Sequence, residues 1–245
     1  MDLKYTEESR VRCYMTDYQY ILRPDAFLDL AQDMAGKGAQ LTDFNDDNMR
    51  ANNCAWVLAR MQVKFIKPVR YDDKIKMQTW HKGLNGLYFL RDYQLLDERG
   101  EVAVNSSSSW IVMNTETRRI SRDEAVMKLI DIAPQSSDQA IEEPCPKVTV
   151  PRGIELEEIG SHKVMFSDVD YNGHANNVQY TVWALDHMPE ELVFKHKVKE
   201  IVINFNKEAR AGETVTLYHA EVDGAHIVEG KSDGHQVFIE KFIFD

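Results

Sequence analysis

One order of predicted elements occurs twice along the 245-residue chain. In each half, apolar residues at helical spacing come first, and about four segments with strand-like alternation and short turns follow. The first helical face is formed by Phe27, Leu30, Ala31 and Met34. Gly36 and Gly38 predict the end of this helix. A helix followed by an antiparallel meander, in duplicate, predicts two copies of one α+β unit.

A proline-rich segment separates the two copies. Residues 133–151 contain four prolines and a Ser-Ser pair, a composition that favours a linker over a packed element. We therefore expect an N-terminal unit at 1–132, a linker at 133–151 and a C-terminal unit at 152–245. Both units have the size of a small domain.

The two copies can be aligned residue by residue. An offset of 153 positions, as between Asp17 and Asp170, fits through the helix, and an offset of 140 fits after it, as between Phe65 and Phe205. At three aligned positions the second copy has polar, titratable groups where the first has apolar or inert ones. These pairs are Gln19 with Asn172, Ile21 with His174, and Pro68 with Glu208. This one-sided enrichment indicates that the chemistry lies in the second half.

Asp170, Asn172 and His174 alternate along a turn that precedes the second helix. Glu208 follows about 34 residues later, on the next predicted strand. Carboxylates, an amide and an imidazole beside the N–H groups of a helix start are the components of a hydrolytic site. A simpler interpretation is an ordinary turn and a solvated strand residue without a catalytic role, because Asn-Gly is a common turn pair and a glutamate on a strand is commonly solvated.

The composition argues against several other classes of function. Lys and Arg number 29 against 40 Asp and Glu, a formal net charge of −11, which argues against a nucleic-acid partner. Three scattered cysteines indicate a reducing cytoplasm, and no apolar run approaches the roughly 18 residues of a membrane span. No HExxH, GxGxxG or P-loop motif is present, so we expect neither a metal nor a bound cofactor. The run of serines from Ser106 to Ser109 lacks a nucleophile motif and fits a strand.

Three motifs resemble those of one family. Residues 170–183, DYNGHANNVQYTVW, resemble the D-x-N-x-H-x-N-N-x-x-Y-x-x-W stretch of fatty acyl-acyl-carrier-protein thioesterases. Residues 56–63, WVLARMQV, and 110–120, WIVMNTETRRI, are similar to two further motifs of that family, W-V-x-x-R-M-Q-V and W-V-M-M-N-x-x-T-R-R-L. The resemblance covers nearly the whole chain, in the family's order.

The resemblance implies an α+β double hotdog, in which each antiparallel sheet wraps one long helix. It also implies hydrolysis of the thioester between a fatty acyl chain and the phosphopantetheine arm of acyl carrier protein, without a cofactor. The catalytic residues matched by motif are Asp170, Asn172, His174 and Glu208. Plant members have a cysteine directly after the glutamate, whereas Ala209 stands here, which favours attack by water.

The mechanism expected from these residues begins with a general base, either Glu208 or Asp170, acting on water. His174 would pass a proton to the leaving thiolate, Asn172 would position the water or the carbonyl, and backbone N–H groups near Gly173 to Ala175 would bind the oxyanion.

The first hotdog is expected to hold the acyl chain in an apolar tunnel. Its predicted lining is Phe27, Leu30, Met34, Trp56, Leu58 and Met61. A plastid-targeting extension is not apparent, so we expect a bacterial-type cytoplasmic enzyme, and a homodimer is left open. Two alternatives also stay open: an acyl-CoA thioesterase of the same superfamily and a non-catalytic acyl-binding hotdog regulator.

Overall fold

Each half of the chain forms an antiparallel meander with one long helix in the computed structural model, which describes residues 4–42, 45–121, 124–131 and 135–245. The strands are β1 (Tyr5–Arg10), β2 (Cys54–Phe65), β3 (Lys74–Asn85), β4 (Tyr88–Asp97), β5 (Val102–Asn114), β6 (Glu157–Lys163), β7 (Val198–Phe205), β8 (Thr214–Val222), β9 (Ala225–Ser232) and β10 (His235–Phe244). The helices are α1 (Pro24–Gln40), α2 (Asp46–Ala51), α3 (Glu124–Asp131), α4 (Asn177–His187) and α5 (Glu190–Lys195). None of these helices is both long and apolar enough to cross a membrane.

The chain divides into two compact units. The first contains Met1–Ala59 and Ile66–Cys145, and the second contains Arg60–Phe65 and Pro146–Asp245. The last residues of β2 join the second unit because they pair with β7, so a linear division of the chain does not describe them. The boundary after Cys145 falls within the predicted linker, whose first residues, 133 and 134, lie outside the described part of the chain.

In the first unit the strand order is β1-β3-β4-β5-β2, and α1 packs against this sheet. Pro24 occupies the first turn of α1, where its missing N–H costs nothing. The helix continues through both glycines to Gln40, so their predicted role as its end is wrong. Gly38 has a packing role instead: a Cβ there would lie 2.8 Å from Nη1 of Arg91 on β4. A glycine in this position lets the buried guanidinium approach the helix backbone.

In the second unit the order is β7-β10-β9-β8-β6, with Arg60–Phe65 paired on the far side of β7. Helix α4 packs through its aromatic side chains, and the ring of Tyr180 stacks on Phe238 with centroids 5.0 Å apart. The hydroxyl of Thr181 donates to Oε1 of Glu240, which is fully buried on β10, at 2.7 Å. Burial raises the pKa of Glu240 to about 8, although this hydrogen bond lowers it.

The internal repeat is confirmed by backbone hydrogen bonds that recur at the predicted offsets. The N–H of Asp17 donates to Ile21 at 2.8 Å, and that of Asp170 donates to His174 at 2.9 Å. A second bond joins the residue shortly before each helix to the segment that follows it: Leu22 donates to Val69 and Ala175 donates to Ala209, both at 2.8 Å. The two copies therefore share the same backbone geometry at these positions. Where their side chains differ, the difference changes the chemistry and not the backbone.

Residues 135–145 lie along β3 and β4 of the first unit, although their composition is that of a linker. Trp80 donates its indole N–H to the carbonyl of Asp138, and the N–H of Ala140 donates to Asp92 at 2.7 Å. Lys82 contacts the same carboxylate at 3.3 Å and donates to the carbonyl of Ile141. We call this segment the strap.

Candidate active site

The loop before α4 is closed by its own hydrogen bonds. Oδ1 of Asp170 accepts from the backbone N–H of Asn172 at 2.8 Å, and its Oδ2 lies 3.4 Å from the amide nitrogen of that side chain. Gly173 has φ = +80°, a left-handed conformation that glycine adopts without strain. The tight turn suggested by Asn-Gly is therefore present, and His174 follows it, three residues before the first residue of α4.

His174 and Glu208 come together from segments 34 residues apart. Nε2 of the imidazole lies 3.2 Å from Oε2 of the carboxylate, with the side chains 23% and 37% exposed. The four predicted catalytic residues thus form two contacting pairs, Asp170 with Asn172 and His174 with Glu208. A half-exposed imidazole and carboxylate in contact can exchange protons with each other and with a bound molecule.

Tyr180 fixes the segment that carries Glu208. Its buried hydroxyl accepts the N–H of Ala209 at 3.1 Å, while the carbonyl of Ala209 accepts from Ala175 at 2.8 Å. Burial raises the pKa of Tyr180 to about 12, so the phenol stays neutral at physiological pH. The residue after Glu208 is therefore held on both sides. Tyr180 stands in the quoted motif, but sequence reasoning gave it no role.

The N-terminus of α4 is satisfied within the loop. The side chain of Asn176 caps the helix by accepting from Val178 at 3.0 Å. The N–H groups of Gly173 and Ala175 donate to the carbonyls of Asp170 and Ala209. These two N–H groups are occupied, so their predicted role in an oxyanion hole is wrong. Of the backbone N–H groups from Gly173 to Ala175 that were predicted to bind the oxyanion, the N–H of His174 stays a candidate.

A buried aspartate supports the base of this loop. Asp168 accepts from the N–H of Met165 at 2.6 Å and contacts Nε2 of His162 at 2.9 Å. Burial acts to raise the pKa of Asp168, but the hydrogen bonds from His162 and Met165 outweigh it and hold that pKa below its usual range. The ring of His162 stacks on Trp183 of α4 at 4.5 Å. This group ties the loop to the helix, and sequence reasoning gave none of its members a role.

The six side chains predicted to line the acyl pocket lie in different surroundings. Phe27 and Met34 are buried on α1, where Leu30 is partly buried. Trp56 is partly buried on β2, with its ring edge-on to Phe89 at 5.0 Å.

Leu58 and Met61 lie further along the same strand. Strand alternation places Leu58 on the face of Trp56 and Met61 on the opposite face. Met61 also pairs with Ile203 in the second unit. One surface of β2 therefore cannot present all three strand residues, and the lining as a set stays a prediction.

The helix-facing side of the first sheet is polar next to Gly38. Cross-strand neighbours on this face are buried side chains with hydroxyl, imidazole, phenol and guanidinium groups: Thr79, His81, Arg91, Tyr93, Ser106 and Ser108. Nη1 of Arg91 donates to the hydroxyl of Thr79 at 3.2 Å, and burial lowers the pKa of this guanidinium. This face of the first sheet is therefore buried but not apolar. The predicted strand assignment of the serines is confirmed, since they lie in β5.

The sequence matches two family models and several curated plant proteins, and all of these describe acyl-ACP thioesterases. The family models described as acyl-ACP thioesterase N-terminal domain and C-terminal domain match residues 2–128 and 153–240. An oleoyl-acyl carrier protein thioesterase from Coriandrum sativum is 27% identical over 236 residues, which are 90% of this chain and 64% of that protein. Oleoyl-acyl carrier protein thioesterase 1 from Arabidopsis thaliana is 28% identical over 243 residues, 91% of this chain and 66% of that protein. The chain thus spans just under two thirds of the length of these chloroplastic relatives.

Solved structures show the same fold. An acyl-ACP thioesterase from Bacteroides thetaiotaomicron superposes with a TM-score of 0.83 at 22% identity, covering 100% of this chain and 98% of that one. The 12:0-ACP thioesterase from Umbellularia californica gives a TM-score of 0.85 at 18% identity, with the same coverage. Two tandem helix-and-meander units define the α+β double hotdog, as predicted. The chain belongs to the acyl-ACP thioesterase family, whose two domain models together match most of its length.

Proposed function

We propose that this protein hydrolyses the thioester of fatty acyl-acyl carrier protein, releasing a free fatty acid and ending chain elongation in fatty acid biosynthesis. The observation that carries the proposal is the contact between His174 and Glu208, because the aligned positions of the first unit are Ile21 and Pro68, which cannot transfer protons. The names of the plant and bacterial relatives support acyl carrier protein as the partner.

Glu208 is the better candidate for the general base. One oxygen of Asp170 is already occupied by the N–H of Asn172, which gives Asp170 a role in shaping the loop. Glu208 takes a proton from the attacking water, and protonated His174 delivers a proton to the leaving thiolate. Glu208 then returns its proton to His174 across their 3.2 Å contact, which restores the starting state. General acid and base help of this kind contributes roughly 10²–10⁴-fold.

We assign the acyl chain to the first unit, with the six predicted lining residues as its candidate contacts. The polar face around Arg91 supports a boundary for this pocket, because burying methylenes against a guanidinium forfeits the gain of about 0.8 kcal/mol for each CH₂. We also assign the protein to the cytoplasm. The two buried cysteines, Cys54 and Cys145, and the exposed Cys13 are not joined in disulfides, in keeping with a reducing compartment.

The test is thiol release from acyl-acyl carrier protein, with the same acyl group on coenzyme A as a comparison. We expect turnover by the unaltered protein, and a loss of roughly 10²–10⁴-fold in kcat for His174→Ala and for Glu208→Gln. His235→Ala and Glu98→Gln, at exposed positions at the start of β10 and in the turn after β4, are the matched controls and should leave turnover unchanged. Normal turnover by Glu208→Gln would remove Glu208 from the scheme, and no thiol release by the unaltered protein would refute the proposed activity.

A further inference from the structure

The side chains that hold the loop before α4 also differ between the two copies. At the offset of 153 positions, His162 and Asp168 of the second copy align with Ser9 and Met15 of the first. The strand register agrees, because the partners of Ser9 on β3 and of His162 on β8 are themselves 140 positions apart. The one-sided enrichment in titratable groups therefore extends beyond the four candidate catalytic residues.

The backbone under these side chains is the same in both copies. Met15 and Asp168 each donate their N–H to the carbonyl three residues earlier, at 3.0 and 3.1 Å. The carbonyl of Met15 accepts from Arg23 at 2.9 Å, and that of Asp168 accepts from Asn176 at 2.8 Å. A methionine can thus occupy this position on the same backbone, so the fold alone does not require the carboxylate.

The two copies differ in how strongly the start of the loop is held. In the first copy, Sδ of Met15 accepts the N–H of Arg12 at 3.3 Å, and a thioether is a weak acceptor. In the second copy, Oδ2 of Asp168 accepts the equivalent N–H, that of Met165, at 2.6 Å. The same oxygen contacts Nε2 of His162 at 2.9 Å. Hydrogen bonds to a carboxylate are shorter and roughly twice as strong as neutral ones, so the loop of the second copy is held more firmly.

A series of backbone contacts joins Asp168 to the candidate catalytic pair. Its carbonyl accepts from the N-cap residue of α4 at 2.8 Å. The residue before that cap, Ala175, directly follows His174 and donates to Ala209 at 2.8 Å. Ala209 in turn directly follows Glu208. A displacement at the start of the loop therefore reaches both members of the pair, and an error of about 1 Å in the position of a catalytic group can lower turnover about 10²-fold.

We propose that His162 and Asp168 are positioning residues, which hold the loop before α4 in the geometry that the candidate catalytic pair requires. The inference rests on the proposed function, because turnover is what the pair provides. Both residues act through the loop and not on the substrate. The first copy lacks the catalytic pair, and it lacks the positioning residues as well.

The experiment replaces both residues by those of the first copy, His162→Ser together with Asp168→Met. The double variant should fold, because the first copy has the same backbone with these residues. For thiol release from acyl-acyl carrier protein, kcat should fall about 10- to 100-fold with little change in KM. His162→Ser alone should lower kcat about tenfold, whereas His162→Gln should keep most of the turnover, because its side-chain N–H can still donate to the carboxylate. Ser9→Ala and Met15→Leu are the matched controls in the first copy and should leave kcat unchanged.

An unchanged kcat in the double variant would overturn the assignment, and so would a rise in KM alone. Equal losses in His162→Gln and His162→Ser would also overturn it, because the imidazole would then act through more than its hydrogen bond. If the double variant does not fold, the two substitutions of His162 decide, since its side chain is 28% exposed and tolerates replacement.

A failure of the proposed function can be told apart from a failure of this assignment. If the unaltered protein releases no thiol, the proposed function fails. Hydrogen exchange of the Ala175 N–H then still tests the hold on the loop, because it needs no turnover. This exchange should be about tenfold faster in His162→Ser than in the unaltered protein, and equal rates would refute the positioning role.

Discussion

Replacing Glu240 by glutamine should change how the stability of the protein depends on pH. Glu240 is fully buried, and Oε1 accepts a hydrogen bond from Thr181, whereas Oε2 has no hydrogen-bond partner among the residues that the structure describes. Burial raises its pKa from 4.5 to about 8, so the folded protein keeps this carboxyl protonated where the unfolded chain ionises it. Glutamine is neutral at every pH and can still accept the hydrogen bond from Thr181.

The sign and size of the effect follow from this difference in pKa. Because the folded-state pKa is raised, the contribution of Glu240 to stability is complete below pH 4.5 and is lost as the pH rises to about 8. Each unit of pKa difference corresponds to about 1.4 kcal/mol, so the loss amounts to about 5 kcal/mol over this interval. The glutamine variant should match the unaltered protein near pH 4.5 and exceed its free energy of unfolding by several kcal/mol at pH 9.

Urea unfolding at pH 5, 7 and 9, followed by circular dichroism, measures the difference. Glu229→Gln on the neighbouring strand is the matched control, because that carboxylate is paired with Lys231 at 2.7 Å and its removal should bring no gain at high pH. If the difference in free energy of unfolding between Glu240→Gln and the unaltered protein stayed constant from pH 5 to 9, the reasoning would be refuted.

Four further substitutions test three other parts of the structure. Tyr180→Phe should keep the ring stacking and lower kcat by about tenfold with little change in KM, because the N–H of Ala209 loses its acceptor. Steady-state kinetics measures both constants, and a rise in KM in place of the fall in kcat would contradict the prediction. Gly38→Ala should lower the free energy of unfolding by about 1–3 kcal/mol, because its methyl would lie 2.8 Å from Arg91. Gly36→Ala is the control: its methyl meets nothing within 4 Å, so it should raise the free energy of unfolding by about 0.5–1 kcal/mol. Equal effects of the two substitutions in denaturant unfolding would contradict this. Arg91→Met should leave the thermal midpoint unchanged or raise it, because it removes a buried cation whose surroundings lower its pKa; a clear drop in that midpoint would show that the guanidinium is well compensated.

The duplicated fold could be predicted from the sequence because its evidence is local. Helical spacing from Phe27 to Met34 and strand alternation both depend on near neighbours in the chain. The second copy also indicated its candidate site, because His174 and Glu208 replace Ile21 and Pro68 on the same backbone. A repeat therefore supplies an internal reference against which unusual residues can be recognised.

The remaining features depend on contacts between distant segments. Nothing near Gly38 in the sequence indicates that Arg91, more than fifty residues later, will pack against it and leave the helix intact. The occupied N–H groups of Gly173 and Ala175 follow from the closure of the loop and from the carbonyl of Ala209. Composition alone assigned residues 135–145 to a linker, because their partners on β3 and β4 lie about 50 residues earlier.

The strap has a consequence for any attempt to produce the first hotdog alone. A fragment that stops at residue 132, where composition suggests a natural end, would lack the N–H of Ala140 and the carbonyl of Asp138. Asp92 would then keep its contact with Lys82 but lose the N–H of Ala140, and the indole of Trp80 would lose its acceptor. Fragments that extend to Cys145 should express in soluble form far more readily than those cut at the first proline.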